Sequence, residues 1–180
     1  LNINYKNFVN SERIYADNCL REILNINILD VLDHDAYEGA KLNIDLNLPI
    51  KKDLHNKYDT LIDGGSIEHI FNFPNAIKNY MDLIKVGGNV FIFTNANNHF
   101  GHGFYQFSPE LFYRVFSEEN GFKINSVILL EHPYPGAELS GRQDCFSVAD
   151  PKHVGRRSTL VTKRPLGIMV HASKIKNANV

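Results

Sequence analysis

The sequence predicts an α/β domain whose core is a mostly parallel sheet. From residue 11 to residue 121, apolar strand-like segments alternate with amphipathic helical segments, as they do in parallel sheets with helices on both faces. Two more strand-like segments come late in the chain and are separated by a long polar stretch, which favours an antiparallel hairpin at one edge. The 180 residues suffice for a sizeable core, and we expect a single domain over residues 1–180.

The composition argues against nucleic-acid and membrane partners. The chain has 19 basic and 20 acidic residues and a formal net charge of −1, so it offers no broad positive surface. No apolar run approaches the ~18 residues that span a bilayer. Cys19 and Cys145 make neither a disulfide framework nor a zinc motif. We therefore expect a cytoplasmic protein, with a homo-oligomer as an open alternative to a monomer.

The first half of the predicted domain contains one helix and three strands. Apolar residues recur at helical spacing in residues 11–25. Strands are predicted at residues 26–33, 40–47 and 58–65; the first and third are largely apolar and carry an acid towards their ends, which is typical of buried strands. The second alternates in polarity and stops before Pro49.

The second half contains two helices and three strands. The first helix is predicted at residues 75–85, where two glycines follow and end it. The second is predicted at residues 108–120, because Ser108 and Pro109 supply an N-cap and a first-turn proline. The strands are predicted at residues 89–95, 123–132 and 166–174, with a loop at residues 133–164.

Candidate binding residues follow the strands, because ligands of such sheets bind at the carboxyl ends of the strands. After the first predicted strand, Asp33 can bind both hydroxyls of a ribose, or it can be an ordinary turn residue. After the second, Asp45 and Leu46 can bind an adenine amino group and cover its ring, or they can belong to an Asx turn before Pro49.

The third strand ends in a motif with more chemistry. Asp63 is followed by Gly64 and Gly65, which allow backbone to approach a ligand closely or form a tight turn. Glu68 and His69 come next, where a new helix can begin. These residues are candidates for ligand binding.

Residues 98–112 follow the next strand and contain two histidines, two glycines and five aromatic rings. His102 is a candidate general base, since histidine changes its protonation state near neutral pH. The rings can instead be core packing, with His102 making one structural hydrogen bond. A zinc site of His69, His99 and His102 is not favoured, because no pair has a recognised ligand spacing and no cysteine is near; we expect no metal.

The segments together resemble class I S-adenosylmethionine-dependent methyltransferases. The resemblance covers residues 11–174. The family's fourth-strand motif resembles YDTLIDGGSIEHIFN, its glycine turn and fifth strand resemble DLIKVGGNVFIFT, and the segment after them resembles GHGFYQFSPELFYRVFSEENGF. A subgroup often encoded beside bacterial surface-glycan genes has second and third strands similar to DAYEGAKLNIDLNLPI.

The resemblance implies a Rossmann-like sheet of seven strands in the order 3-2-1-4-5-7-6, with the last strand antiparallel. It implies methyl transfer from S-adenosyl-L-methionine to an oxygen or nitrogen of a small-molecule or glycan-type acceptor, with S-adenosyl-L-homocysteine as the product. The implied cofactor residues are Asp33, Asp45, Leu46, Asp63, Gly64 and Gly65. The implied acceptor residues are Glu68, Asn95, Asn98 and Tyr105, with His102 as the first and His69 as the second candidate for catalysis.

One departure from the family leaves a second function open. The family's first strand leads into a glycine-rich loop, whereas residues 1–12 contain no glycine and only residues 1–5 resemble a strand. The alternative is therefore a methyltransferase-like binding or scaffold domain that has lost its cofactor. A nicotinamide-dependent reductase is disfavoured because the G-x-G-x-x-G motif is absent.

The long loop contains a group of basic residues, which can bind an anionic acceptor or can simply be solvated: Arg142, His153, Arg156 and Arg157.

Overall fold

The structure is a computed structural model that describes residues 17–36, 39–131 and 143–177. The chain divides into two compact units between Asp45 and Leu46. The predicted first strand, residues 1–5, lies outside the described residues. The single-domain organisation therefore stays a prediction, and each unit is described by itself. None of the described helices has the length and apolar composition that a membrane span requires.

The first unit contains one helix and a small parallel sheet. Helix α1 (Asp17–Leu24) is followed by strands β1 (Leu32–Asp33) and β2 (Leu42–Asn43), which pair in parallel. Both strands are much shorter than the strands predicted at residues 26–33 and 40–47. The apolar Ile28 is 78% exposed, so this stretch lacks the buried face that holds a longer strand in place.

The second unit is built on a five-stranded mixed sheet. Its strands lie in the order β3-β4-β7-β5-β6. Strands β3 and β4 are parallel, and the other neighbours are antiparallel. The strands are β3 (Tyr58–Asp63), β4 (Ile84–Asn97), β5 (Phe122–Glu131), β6 (Asp144–Ser147) and β7 (Leu166–Lys174). The helices are α2 (Phe73–Leu83), α3 (Pro109–Val115) and α4 (Pro151–Val154), with 3₁₀ turns at Lys52–Leu54 and Ile67–His69.

The predicted strand order is confirmed for half of the sheet, whereas the predicted number of strands is wrong. The order β3-β4-β7-β5 matches the 4-5-7-6 half, and the antiparallel last strand is confirmed. A mostly parallel sheet of seven strands is wrong for the described residues, which form one sheet of five strands and one of two. The loop predicted at residues 133–164 contains β6, because the open edge of β5 offers unpaired backbone groups at residues 128–131.

The start of β4 also differs from the prediction. The strand begins at Ile84, directly after α2, so the two glycines lie inside the strand and do not end the helix. Gly87 has a φ of +88°. A Cβ on Gly88 would lie 2.7 Å from the carbonyl oxygen of Asp59 on β3. Glycine is thus required here by the close approach of two paired strands.

The core of this unit lies on one face of the sheet. Alternate side chains of the central strands β4 and β7 are buried there: Val90, Ile92, Ile168, Val170 and Ala172. Each large apolar side chain buried in this way contributes roughly 1.5–3 kcal/mol. On the opposite face, Ile62, Phe91 and Met169 are 39–50% exposed.

The pairing of β3 with β4 places the candidate site. Asp63 at the end of β3 is in register with Ile92 of β4. Because the strands are parallel, the loops that follow them leave from the same edge of the sheet.

Candidate active site

The loop after β3 is organised around the carboxylate of Asp63, which is 5% exposed. Its Oδ1 accepts hydrogen bonds from the backbone N–H groups of Gly65 at 3.0 Å and Ser66 at 2.7 Å. Its Oδ2 accepts from the N–H of Ile67 at 3.2 Å and from the hydroxyl of Tyr80 at 2.9 Å. Four donors therefore occupy the carboxylate that the resemblance assigned to the cofactor, and Asp63 stabilises its own loop.

Tyr80 remains a hydrogen-bond donor because of its surroundings. Burial raises the pKa of its phenol well above the usual value, and the nearby charges of Asp63 and Glu68 raise it further. Its hydroxyl therefore keeps its proton to a higher pH than an ordinary tyrosine does, and it connects α2 to the end of β3. Tyr80 is not among the candidate residues named from the sequence, because its position in a helix carries no signal of this contact.

Glu68 is fixed in a buried position beside the same loop. It is 2% exposed and belongs to the 3₁₀ turn Ile67–His69. Its Oε2 accepts a hydrogen bond from the hydroxyl of Thr94 on β4 at 2.7 Å. Its backbone carbonyl accepts from the N–H of Phe104 at 2.7 Å. Glu68 thus connects both strand ends and the loop that follows β4.

The loop after β4 depends on close packing against Glu68. Gly103 has a φ of +71°, and a Cβ there would lie 2.8 Å from the carbonyl oxygen of Glu68. Asn95 is buried; its side-chain amide donates to the carbonyl of His102 at 3.2 Å, and its own carbonyl accepts from the N–H of Phe107 at 2.8 Å. These contacts hold His102 over the edge of the sheet.

Three side chains from the two loops converge in what we call the strand-tip cluster: Glu68, His69 and His102. The Nε2 atoms of the two imidazoles are 3.1 Å apart. The Nε2 of His102 lies 3.7 Å from Oε1 of Glu68. The side chain of His102 is 58% exposed, whereas that of Glu68 is 3% exposed. The cluster therefore combines a buried carboxylate with imidazoles that a ligand can reach.

Aromatic side chains of the same loop separate into two groups. Phe107 and Phe112 are buried, and Phe107 also packs against Phe73 of α2, so these rings are core packing. Phe104 is 66% exposed and lies edge-on to Phe71, with ring centroids 6.3 Å apart. It is not part of the core and leaves an apolar surface next to His102.

The other residues predicted on the acceptor side hold loops together. The amide of Asn98 donates to the carbonyls of Thr162 and Arg164, each at 2.9 Å. The hydroxyl of Tyr105 donates to the carbonyl of Phe71 at 2.7 Å. Acceptor binding by Asn95, Asn98 and Tyr105 therefore stays a prediction. In the basic group, His153, Arg156 and Arg157 are exposed, and Arg142 lies outside the described residues.

The predicted cofactor residues of the second unit offer open backbone next to Asp63. A Cβ on Gly64 would have no neighbouring atom within 4 Å. Gly65 has a φ of +117°, which side-chain-bearing residues rarely adopt. Leu46 is buried, and its carbonyl accepts from the amides of Asn75 and Asn79. The glycine backbone therefore leaves the room that a closely approaching ligand needs.

The predicted cofactor residues of the first unit lie at the ends of its two short strands. The carboxylate of Asp33 accepts from the N–H of Asp35 at 3.4 Å, and its carbonyl accepts from the N–H of Ile44 at 2.9 Å. The first contact is the turn arrangement that the sequence left open as an alternative. Asp45 is partly exposed after β2. Ribose and adenine binding by this unit stays a prediction.

Comparison with known proteins assigns no activity to the chain. No protein-family model and no curated protein matches it. A solved S-adenosylmethionine-dependent methyltransferase from Thermotoga maritima, described as a possible histamine N-methyltransferase, matches 72% of this chain at 14% identity and a TM-score of 0.47. The antibiotic-resistance methyltransferase Kmr matches 74% of this chain at 14% identity and a TM-score of 0.36. The match spans 60% of each of those two proteins.

Proposed function

We propose that the protein transfers a methyl group from S-adenosyl-L-methionine to an oxygen or nitrogen atom of a small-molecule or glycan-type acceptor. The observation that carries the proposal is the strand-tip cluster, which lies at the carboxyl ends of two parallel strands, where ligands of such sheets bind. The sequence motifs that resemble the methyltransferases surround this cluster. A cytoplasmic location and a homo-oligomeric state remain predictions.

In the proposed reaction, the protein aligns the cofactor with the acceptor and removes a proton from the acceptor. The cofactor, when bound, supplies a methyl group on a positively charged sulfur, so the transfer needs mainly proximity and alignment. An acceptor hydroxyl or ammonium must also lose its proton. The exposed His102 is the group to accept it at Nε2, where it faces His69 at 3.1 Å. The carboxylate of Glu68, at 3.7 Å, stabilises the imidazolium that forms.

The residues proposed to hold the cofactor's methionine end are Gly64 and Gly65. Their backbone is open on the side where a Cβ of Gly64 would lie. The carboxylate of Asp63 orients these glycines through its bonds to the loop. Asp33, Asp45 and Leu46 remain the proposed partners of the ribose and adenine.

Calorimetric titration with S-adenosyl-L-homocysteine tests the proposal before any acceptor is known. We expect binding by the natural protein and an affinity at least tenfold lower in Gly64→Val, because the new side chain enters space that is open around a Cβ at this position. Gly101→Val is the matched control, since its Cβ also meets open space but lies in the loop after β4. The absence of heat with both S-adenosyl-L-homocysteine and S-adenosyl-L-methionine would favour the scaffold function.

A further inference from the structure

We propose that Glu68, His69 and His102 bind a divalent transition-metal ion, with zinc as the best match. The three side chains each offer one ligand atom, and these atoms lie within 4.8 Å of one another. The inference goes beyond methyl transfer and does not rest on it, because metal binding can be measured without cofactor or acceptor.

The distances in the strand-tip cluster are close to those around a single tetrahedral ion. With zinc–ligand distances of about 2.0–2.2 Å, two ligands of a tetrahedral ion lie roughly 3.3–3.6 Å apart. The two Nε2 atoms are 3.1 Å apart, and Nε2 of His102 is 3.7 Å from Oε1 of Glu68. The third pair, His69 and Glu68, lies within 4.8 Å, and binding of one ion requires the exposed imidazoles to rotate towards the carboxylate.

The surroundings of Glu68 favour a cation. A buried carboxylate needs a positive partner or several hydrogen-bond donors. Thr94 donates to Oε2 and so orients the group, in the way that outer hydrogen bonds orient metal ligands. Oε1 faces His102 at 3.7 Å, which is beyond hydrogen-bond distance. Among the described residues, neither lysine nor arginine forms an ion pair with Glu68.

A neutral hydrogen bond between the two imidazoles is the competing interpretation. At 3.1 Å, one Nε2–H can donate to the other Nε2. That bond satisfies the histidines but brings no charge to the carboxylate. A metal ion satisfies all three groups at once, and it binds the imidazoles in their neutral form.

The ligand set also indicates what the ion can do. Two imidazoles and one carboxylate suit zinc, cobalt or iron better than magnesium or calcium. Three protein ligands leave a position open, as in catalytic rather than structural zinc sites. A hydroxyl bound there loses its proton more readily, and the proton passes to solvent. If both proposals hold, the ion takes over the acceptor-activating role that His102 has without metal.

The proposed ligand set differs by one residue from the zinc site of His69, His99 and His102 considered from the sequence. His99 is not in the cluster, although its ring centroid is 6.4 Å from that of His102. Its place is taken by Glu68, which is adjacent to His69 in a 3₁₀ turn. That set has no recognised spacing in the sequence because the chain path, not a motif, brings it together.

Cobalt(II) titration of protein treated with EDTA, followed by visible absorption and by calorimetry with zinc, tests the site. We expect one bound ion and a spectrum typical of tetrahedral cobalt. His69→Ala, His102→Ala and Glu68→Gln are each expected to weaken binding by tenfold or more. His153→Ala is the matched control, because it removes an exposed histidine elsewhere in this unit, and it should leave the affinity unchanged.

Two outcomes would overturn the metal site. One is no absorption change and no heat up to millimolar metal; the other is binding that the three cluster variants do not weaken. Thermal melting of each variant shows whether it is folded, and the exposed histidine variants remain informative if Glu68→Gln unfolds. Titration with S-adenosyl-L-homocysteine in EDTA separates the proposals, since cofactor binding without metal retains the proposed function even where the metal titrations reject the ion.

Discussion

The loops after β3 and β4 leave the same edge of the sheet but are stabilised in different ways. Residues 64–66 are held by the carboxylate of Asp63, the last residue of the strand they follow. Residues 98–108 are held by groups outside the loop, chiefly the carbonyls of Glu68 and Asn95. In the first loop, Asp63 accepts hydrogen bonds from the backbone of the loop itself. The second loop leaves the imidazole of His102 exposed. Position at a strand end therefore does not distinguish a structural residue from a functional one; the hydrogen bonds already made by its polar atoms do.

The largest expected effect is on activity and comes from the second loop. His102→Ala should lower methyl transfer ~10²–10⁴-fold, because it removes the proposed base, while the melting temperature changes little since the side chain is 58% exposed. Release of S-adenosyl-L-homocysteine with a panel of hydroxyl- and amine-bearing acceptors measures it. An unchanged rate would remove His102 from that role. If EDTA also lowers the activity of the natural enzyme, the loss of activity in His102→Ala is assigned to the metal site.

The next effect is on stability and comes from the first loop. Asp63→Ala leaves three backbone N–H groups and the Tyr80 hydroxyl without their acceptor. The free energy of unfolding should fall by about 4 kcal/mol, since each of the four unsatisfied donors costs on the order of 1 kcal/mol. Urea unfolding measures it. Asp59→Ala is the matched control: that acid is exposed, pairs with Lys85, and should cost about 0.5 kcal/mol or less. Equal losses in the two variants would contradict a structural role for Asp63.

The smallest expected effect concerns the link between α2 and the first loop. Tyr80→Phe should lower the free energy of unfolding by about 1.5 kcal/mol at pH 7, because a hydrogen bond to a carboxylate is lost. The raised pKa of Tyr80 means that the folded state keeps a proton that the unfolded state releases above about pH 10. The stability that this proton contributes is present below that pH and is lost as pH rises. The difference between the natural protein and the variant should therefore shrink above pH 10; a constant difference would show that the phenol is not perturbed.

Several elements could be predicted because their causes are local. The bounds of β7 and the beginning of β3 follow from short apolar runs, and α3 begins at Pro109 after Ser108 as the capping pattern predicts. The family resemblance also implied an acceptor-side role for all three members of the strand-tip cluster, and that role stays a prediction. Strand β6 could not be predicted, because its four residues are all exposed and are held by the edge of β5 rather than by their own pattern.

Hydrophobic periodicity and turn residues were enough to predict alternating strands and helices, because they act within a few positions. The order of half the sheet was implied only by the family resemblance. The resemblance likewise implied that Glu68, His69 and His102 belong to one side of the site. Only the tertiary structure decided that Asp63 serves its own loop and that His102 meets His69, 33 positions away. Such contacts depend on the path of the whole chain: two parallel strands must pair before the groups at their ends can be brought together.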